Sequence, residues 1–216
     1  MRKLIILFSI LVLHSHCKNN NKDPFNRKEL LENIAYAIAI PQIQEAINTT
    51  QILAEHVKEL QTNRSIEELN TARKVWKELL FQWKGIEILN IGSIKSSFIH
   101  SSIGRWPCNT LFIDYLSTLE NMNIQSVTDA GASRKGLYAI EYLLFDEAII
   151  ENNNKLNLLK IQTEALENAF YELLNLWSGP QAYSKIFTND LELYMYSPYS
   201  SYVNAIVSSI DFIYKE

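Results

Sequence analysis

Long stretches of this chain repeat apolar residues at helical spacing with no helix breaker between them. Ile43, Ala46, Ile47, Thr50, Leu53, Val57 and Leu60 hold that spacing to about Gln61. Leu69, Ala72, Trp76, Leu79, Leu80 and Trp83 do the same, and so do Leu158, Ile161, Ala165, Leu166, Ala169, Phe170, Leu173 and Trp177. Side chains three and four residues apart share one helix face, and an apolar face must be covered by another element. With only 6 Gly and 5 Pro in 216 residues, the expectation is an all-α chain folded as an antiparallel helical bundle. The short Thr62-Asn63-Arg64 linker makes the first two of these helices antiparallel neighbours.

Punctuation residues set the element ends. Asp23-Pro24 supplies an N-cap and a proline at the first helical position, and Pro41 is expected to break or kink the helix that follows. Ser65 and Glu68 form a capping-box pattern. Asn109 or Thr110 caps a short helix through Leu119, Asn152-Asn153-Asn154 marks a turn, and Ser178-Gly179-Pro180 stops the last long helix. Between Gly92 and Asn109, and again over 121–132, the pattern lapses and loops are expected. A Tyr-rich break over Tyr194–Tyr199 precedes an apolar run from Tyr202 to Ile213, whose face needs cover from the bundle or from a partner.

The first 17 residues belong to export rather than to the fold. Met1-Arg2-Lys3 is a positive start, and Leu4 to Leu13 is an apolar core too short to span a bilayer. Cys17 follows at once, and then a polar tether, residues 18–23. The arrangement resembles a bacterial lipoprotein signal, which implies lipidation at Cys17, with residues 24–216 as the folded part. The membrane is then a partner through the anchor, and the address is the bacterial cell envelope, as an outer-membrane or periplasmic lipoprotein. Cys108 is left without an intrachain thiol, and a buried free cysteine is expected there. A net charge of −4 and a pI near 5.7 leave no basic footprint for nucleic acid.

Chemistry-bearing residues are few. The chain has no Gly-x-Ser-x-Gly, no phosphate-cradling glycine loop, no His-Glu-x-x-His and no Cys-x-x-Cys. His56 lies three residues before Glu59, but with no third ligand evident a hydrogen-bonded or solvated histidine is expected. His100 falls in a polar stretch and is expected at the surface. Glu141 is the conspicuous residue, because Leu137, Tyr138, Ile140, Leu143, Leu144 and Phe145 make its helix apolar or aromatic on every side. A carboxylate buried there must be neutralised, hydrogen-bonded, paired or metal-bound. Arg105, beside Trp106-Pro107, is the candidate to reach it, while Trp106 is expected to anchor the loop.

The run Gly136-Leu137-Tyr138-Ala139-Ile140-Glu141-Tyr142-Leu143-Leu144-Phe145 resembles the Gly-x-His-x-x-Glu signature of the imelysin-like family. Arg73-Lys74-Val75-Trp76, Arg105-Trp106-Pro107, Trp177 and the Tyr183–Phe187 segment continue the resemblance in order. It implies an all-α fold of helical bundles, the second incomplete here, in exported bacterial proteins tied to iron uptake or iron regulation, some of them classed as metallopeptidases. By position it makes Gly136, Tyr138 and Glu141 binding residues with Arg105 beside them, and Glu141 the metal ligand or general base if there is one. Tyr138 stands where the family has histidine, and a phenol is a poorer ligand for a divalent metal. The expectation is therefore a non-catalytic role in iron or haem acquisition or binding, with a second copy or another protein as a possible partner. Two alternatives stay open: a metal-dependent peptidase using Glu141, and a truncated structural copy in which Glu141 is a satisfied core acid.

Overall fold

The computed structural model describes residues 27–189. The leader with Cys17, the tether, the Asp23-Pro24 helix start, the Tyr-rich break and the final apolar run lie outside the described residues. Within them the chain is all helix and has no strand.

The first helical segment joins α1 (Arg27–Glu32), a π-helical stretch (Asn33–Ala39) and α2 (Ile40–Asn63) without a break. Pro41 therefore does not end the helix. A proline lacks its own N–H and crowds the carbonyl four residues back. The wide turn, in which the Ile40 N–H donates to Ala35 O, opens the ladder just ahead of it. After Arg64, α3 (Ile66–Glu87) begins at Ser65, whose hydroxyl accepts from Glu68 N at 3.0 Å, as the capping pattern predicts. The Glu68 side chain itself turns to His56 on α2, 2.5 Å from its Nδ1. His56 is thus a hydrogen-bonded link between α2 and α3, with Glu68 rather than Glu59.

The stretch from Gly92 to Gly104, expected as loop, is mostly helix: α4 (Gly92–Ser96) and α5 (Ile99–Gly104). Next come α6 (Thr110–Ser117), capped by Asn109 with Phe112 N at 3.1 Å, and α7 (Ile124–Thr128). A 3-10 turn (Ala132–Arg134) leads into α8 (Leu137–Leu144), and another (Ile149–Glu151) into α9 (Asn153–Ser178). Asn152 caps α9, Gly179 follows it, and α10 (Tyr183–Asn189) closes the described chain.

α2 packs along both α3 and α9, and α5 and α8 complete the bundle against α9. α6 and α7 flank α9, while α10 sits against α1 and the end of α9. Trp83, Phe170, Trp177 and Phe187 are fully buried, with Trp83 edge-on to Phe170 at 6.0 Å. The same core holds His100, which is only 5 % exposed and 4.9 Å from the Trp83 ring. This overturns the surface placement expected for it. Ile99 and Ile103 on either side give α5 an inward face, and His100 goes in with them.

Neither ring nitrogen of His100 has a hydrogen-bond partner among the described residues. Burial lowers its pKa from 6.5 to about 3. The unfolded chain therefore takes up a proton at His100 as the pH falls through 6.5, and the folded chain does so only near 3. Stability should fall across that window by up to about 1.4 kcal/mol per pH unit from this group. Acid titrations followed by circular dichroism should show His100→Leu losing most of that dependence while both proteins behave alike above pH 7.

Candidate functional site

The site is built on α8, and α3 fixes where α8 lies. Trp76 Nε1 donates to Leu137 O at 3.0 Å, and Arg73 Nε donates to Leu144 O at 2.8 Å. The Arg-x-x-Trp element thus grips the first and last residues of the eight-residue helix. Gly136, its N-cap, has φ +82°, a conformation L side chains rarely adopt. A Cβ there would lie 2.3 Å from Ile103 O and 2.7 Å from Ser102 O. Only glycine lets α8 begin against the backbone of α5.

With the helix so held, Leu137, Ala139, Ile140, Leu143 and Leu144 are fully buried. Tyr138, Glu141, Tyr142 and Phe145, spaced at three and four residues, form the opposite face, on which Tyr138 is itself buried. Phe145 is 41 % exposed and Glu141 is half-buried. Glu141 is therefore not the core acid expected from the pattern. Among the described residues no side chain hydrogen-bonds or pairs with its carboxylate, and Arg105 is exposed without reaching it. The expected Arg105–Glu141 pair does not form, and among the described residues nothing satisfies Glu141 as a core acid. Partial burial alone raises the Glu141 pKa above its usual 4.5.

Aromatic rings and cations pack on the helix that carries this carboxylate. Trp106, 54 % exposed, stands edge-on to Tyr138 at 5.2 Å, so it does anchor its loop on α8. Lys84 lies 6.0 Å from the Tyr138 ring centre and 2.9 Å from Glu87. Arg73 and Lys77 lie 5.1 and 5.8 Å from the Phe145 ring. Tyr142 donates to Asp114 at 2.8 Å, and Lys155 bridges Asp114 and Asp146 at 3.0 and 2.8 Å. Cys108 is half-buried rather than buried; desolvation, and then the Glu141 charge, push its thiol pKa up.

Of the residues singled out in the sequence, the structure puts Tyr138 and Glu141 on one short helix with Gly136 as its N-cap, and leaves Arg105 exposed. Lys84, Cys108 and the Asp114–Tyr142–Lys155–Asp146 network were not foreseen. Lys84 follows Leu80 by one turn, a weak signal, and the network joins residues too far apart in sequence to be read. Among the described residues no three His, Cys, Asp or Glu side chains converge. This part of the chain offers Glu141 no set of donors for a divalent metal.

The imelysin family model, Peptidase_M75, matches residues 39–216. The chain belongs to the imelysin family. Its structure is similar to that of a protein described as an iron-regulated protein A precursor from Parabacteroides distasonis ATCC 8503. That match has a TM-score of 0.68 at 16% identity over 82% of this chain and 54% of the other. It is also similar to an imelysin-like protein from Psychrobacter arcticum 273-4, with a TM-score of 0.68 at 15% identity over 85% and 59%. At these identities the likeness shows the fold. The chain spans little more than half the length of either protein. No curated protein matches it.

Gly136 and Glu141, shared with the imelysin signature, should respond oppositely to mutation. Gly136→Ala forces both an unfavourable φ and a backbone clash, and should cost at least about 3 kcal/mol in denaturant unfolding. Glu141→Gln removes an unpaired carboxylate whose raised pKa opposes folding once the pH exceeds about 4.5. It should leave stability at pH 7 within about 0.5 kcal/mol of the parent, on the favourable side.

Proposed function

We propose that this imelysin-family protein is exported, lipid-anchored at Cys17, and binds a haem-like macrocycle at the Glu141 face without catalysing a reaction. The observation that carries this reading is a half-exposed Glu141 carboxylate, without a side-chain partner among the described residues, on the helix whose Tyr138 meets Trp106 and Lys84. An unpaired carboxylate with a raised pKa costs stability, and groups of that kind concentrate at functional sites.

The surroundings favour the macrocycle over bare iron. A free iron cation near Tyr138 would meet the Lys84 charge, which its Glu87 partner offsets only in part. A haem carries carboxylates that a lysine attracts, and a flat apolar ring that exposed Trp106 and Phe145 can meet. Glu141 and, from its buried position, Tyr138 would supply oxygen donors to the iron. Bound haem would contribute a redox-active iron; the chain's own residues contribute the shelf, the donors and the counter-charges. The neighbour described as iron-regulated is consistent with an iron-linked cargo. A peptidase reading has less support, since a hydrolytic metal needs more donors than Glu141 has around it.

Titration of the full chain with ferric haem should give a saturable Soret shift. Glu141→Gln, Tyr138→Phe and the pair Lys84→Glu with Arg105→Glu should each weaken it about tenfold, near 1.4 kcal/mol. No saturable shift at high micromolar haem would refute the reading, and saturation by ferric citrate alone would move it to bare iron. Chelator-sensitive proteolysis lost in Glu141→Ala would instead establish the peptidase. Separately, Cys17→Ser should move the protein from the membrane fraction to the soluble one; unchanged partitioning would remove the anchor.

A further inference from the structure

A second concavity lies where α5, α7 and α9 meet the start of α8, and it includes no residue of the Glu141 face. It has room of about 150 Å3, similar to a cavity that holds one benzene and well below drug-sized pockets. Its ligand would have about six to eight heavy atoms on that scale.

The apolar part of its wall is Ile99, Leu166, Ala165 and Ala169. The two alanines, four residues apart on α9, leave the space that larger side chains would fill. Around it stand Lys135 and Glu172, with Ser102 and Asn168, and Asp129 also acts on the Lys135 charge. Lys135 Nζ donates to Thr128 O at 2.5 Å, which spends one of its three protons. Among the described residues the side chains of Glu172, Ser102 and Asn168 form no hydrogen bond or ion pair. The cleft thus joins an apolar wall to unspent donors and acceptors of both signs. A simple carboxylate would bind Lys135 but be repelled by Glu172, and a simple amine would suffer the reverse. A small zwitterion satisfies both.

We propose that this cleft binds a small aliphatic amino acid, with its carboxylate on Lys135 and Ser102, its ammonium on Glu172 and Asn168, and its side chain on the alanine wall. Partial burial lowers the Lys135 pKa even though Asp129 and Glu172 oppose it, and a bound carboxylate would add to their stabilisation of the ammonium.

Isothermal titration of the full chain with L-valine, isovalerate and isobutylamine tests the assignment, since the last two each carry only one of the charged groups. Valine should bind saturably and at least fivefold more tightly than either. Lys135→Met and Glu172→Gln should each reduce its affinity at least fivefold, and Ala169→Leu should abolish it with an unchanged circular dichroism spectrum. If Ala169→Leu does not fold, Lys135→Met and Glu172→Gln carry the test alone. No saturable valine binding at millimolar concentration overturns the proposal, as does isovalerate binding as tightly as valine or affinity unchanged in the two charge variants. None of these readings depends on whether haem binds at the Glu141 face.

Discussion

The hold of α3 on α8 is the contact on which the candidate site depends. A helix of eight residues is too short to persist alone in water, so its position and rotation must come from tertiary contacts. Trp76 and Arg73 bond the carbonyls of its first and last residues, and Gly136 seats its start on the backbone of α5. A hydrogen bond from a charged donor contributes on the order of 1.5–3 kcal/mol. Arg73 is such a donor, the neutral Trp76 indole contributes about 0.5–1.5 kcal/mol, and with one bond at each end the helix has little freedom to turn. Rotation decides everything about Glu141: a half-turn would bury the carboxylate and expose Ile140 and Leu143.

The long elements were legible because their sequence carries one unambiguous period. The apolar runs of α2, α3 and α9, the Ser65 and Asn109 caps and the stop at Gly179 all appear where spacing and capping chemistry put them. The family was legible too, from the Gly136–Phe145 run taken with Arg73-x-x-Trp76 and Arg105-Trp106-Pro107. The rotation of α8 was not. Its residues are apolar or aromatic all round, so no face declares itself, and tyrosine, phenylalanine and tryptophan are content at a boundary with water. His100 was misplaced for a related reason: the serines and Gly104 around it signal a loop, while Ile99 and Ile103 turn that segment inward. The pairs His56–Glu68 and Tyr142–Asp114 join separate elements, and nothing in local sequence announces them.

The replacement of histidine by Tyr138 in the family signature acquires a physical context from these contacts. A histidine at that position could serve a divalent metal beside Glu141. Tyr138 instead packs edge-on against Trp106, with the Lys84 ammonium close by. A divalent cation bound there would meet a neutral phenol and a positive neighbour, two penalties on one site. A ligand with its own negative groups and a flat apolar body would turn the same neighbours into attractions.

Glu141 is the sharpest constraint on any such ligand. Folding gains nothing from it: the carboxylate has no partner among the described residues, and partial burial disfavours its charge. The chain does satisfy comparable groups nearby, holding Lys155 between Asp114 and Asp146 and giving Tyr142 an acceptor on Asp114. A local rule broken at one residue and obeyed by its neighbours marks the place where function rather than stability sets the chemistry. In this fold that residue lies half-exposed on the outer face of α8, where a bound molecule can supply the partner that the described residues do not.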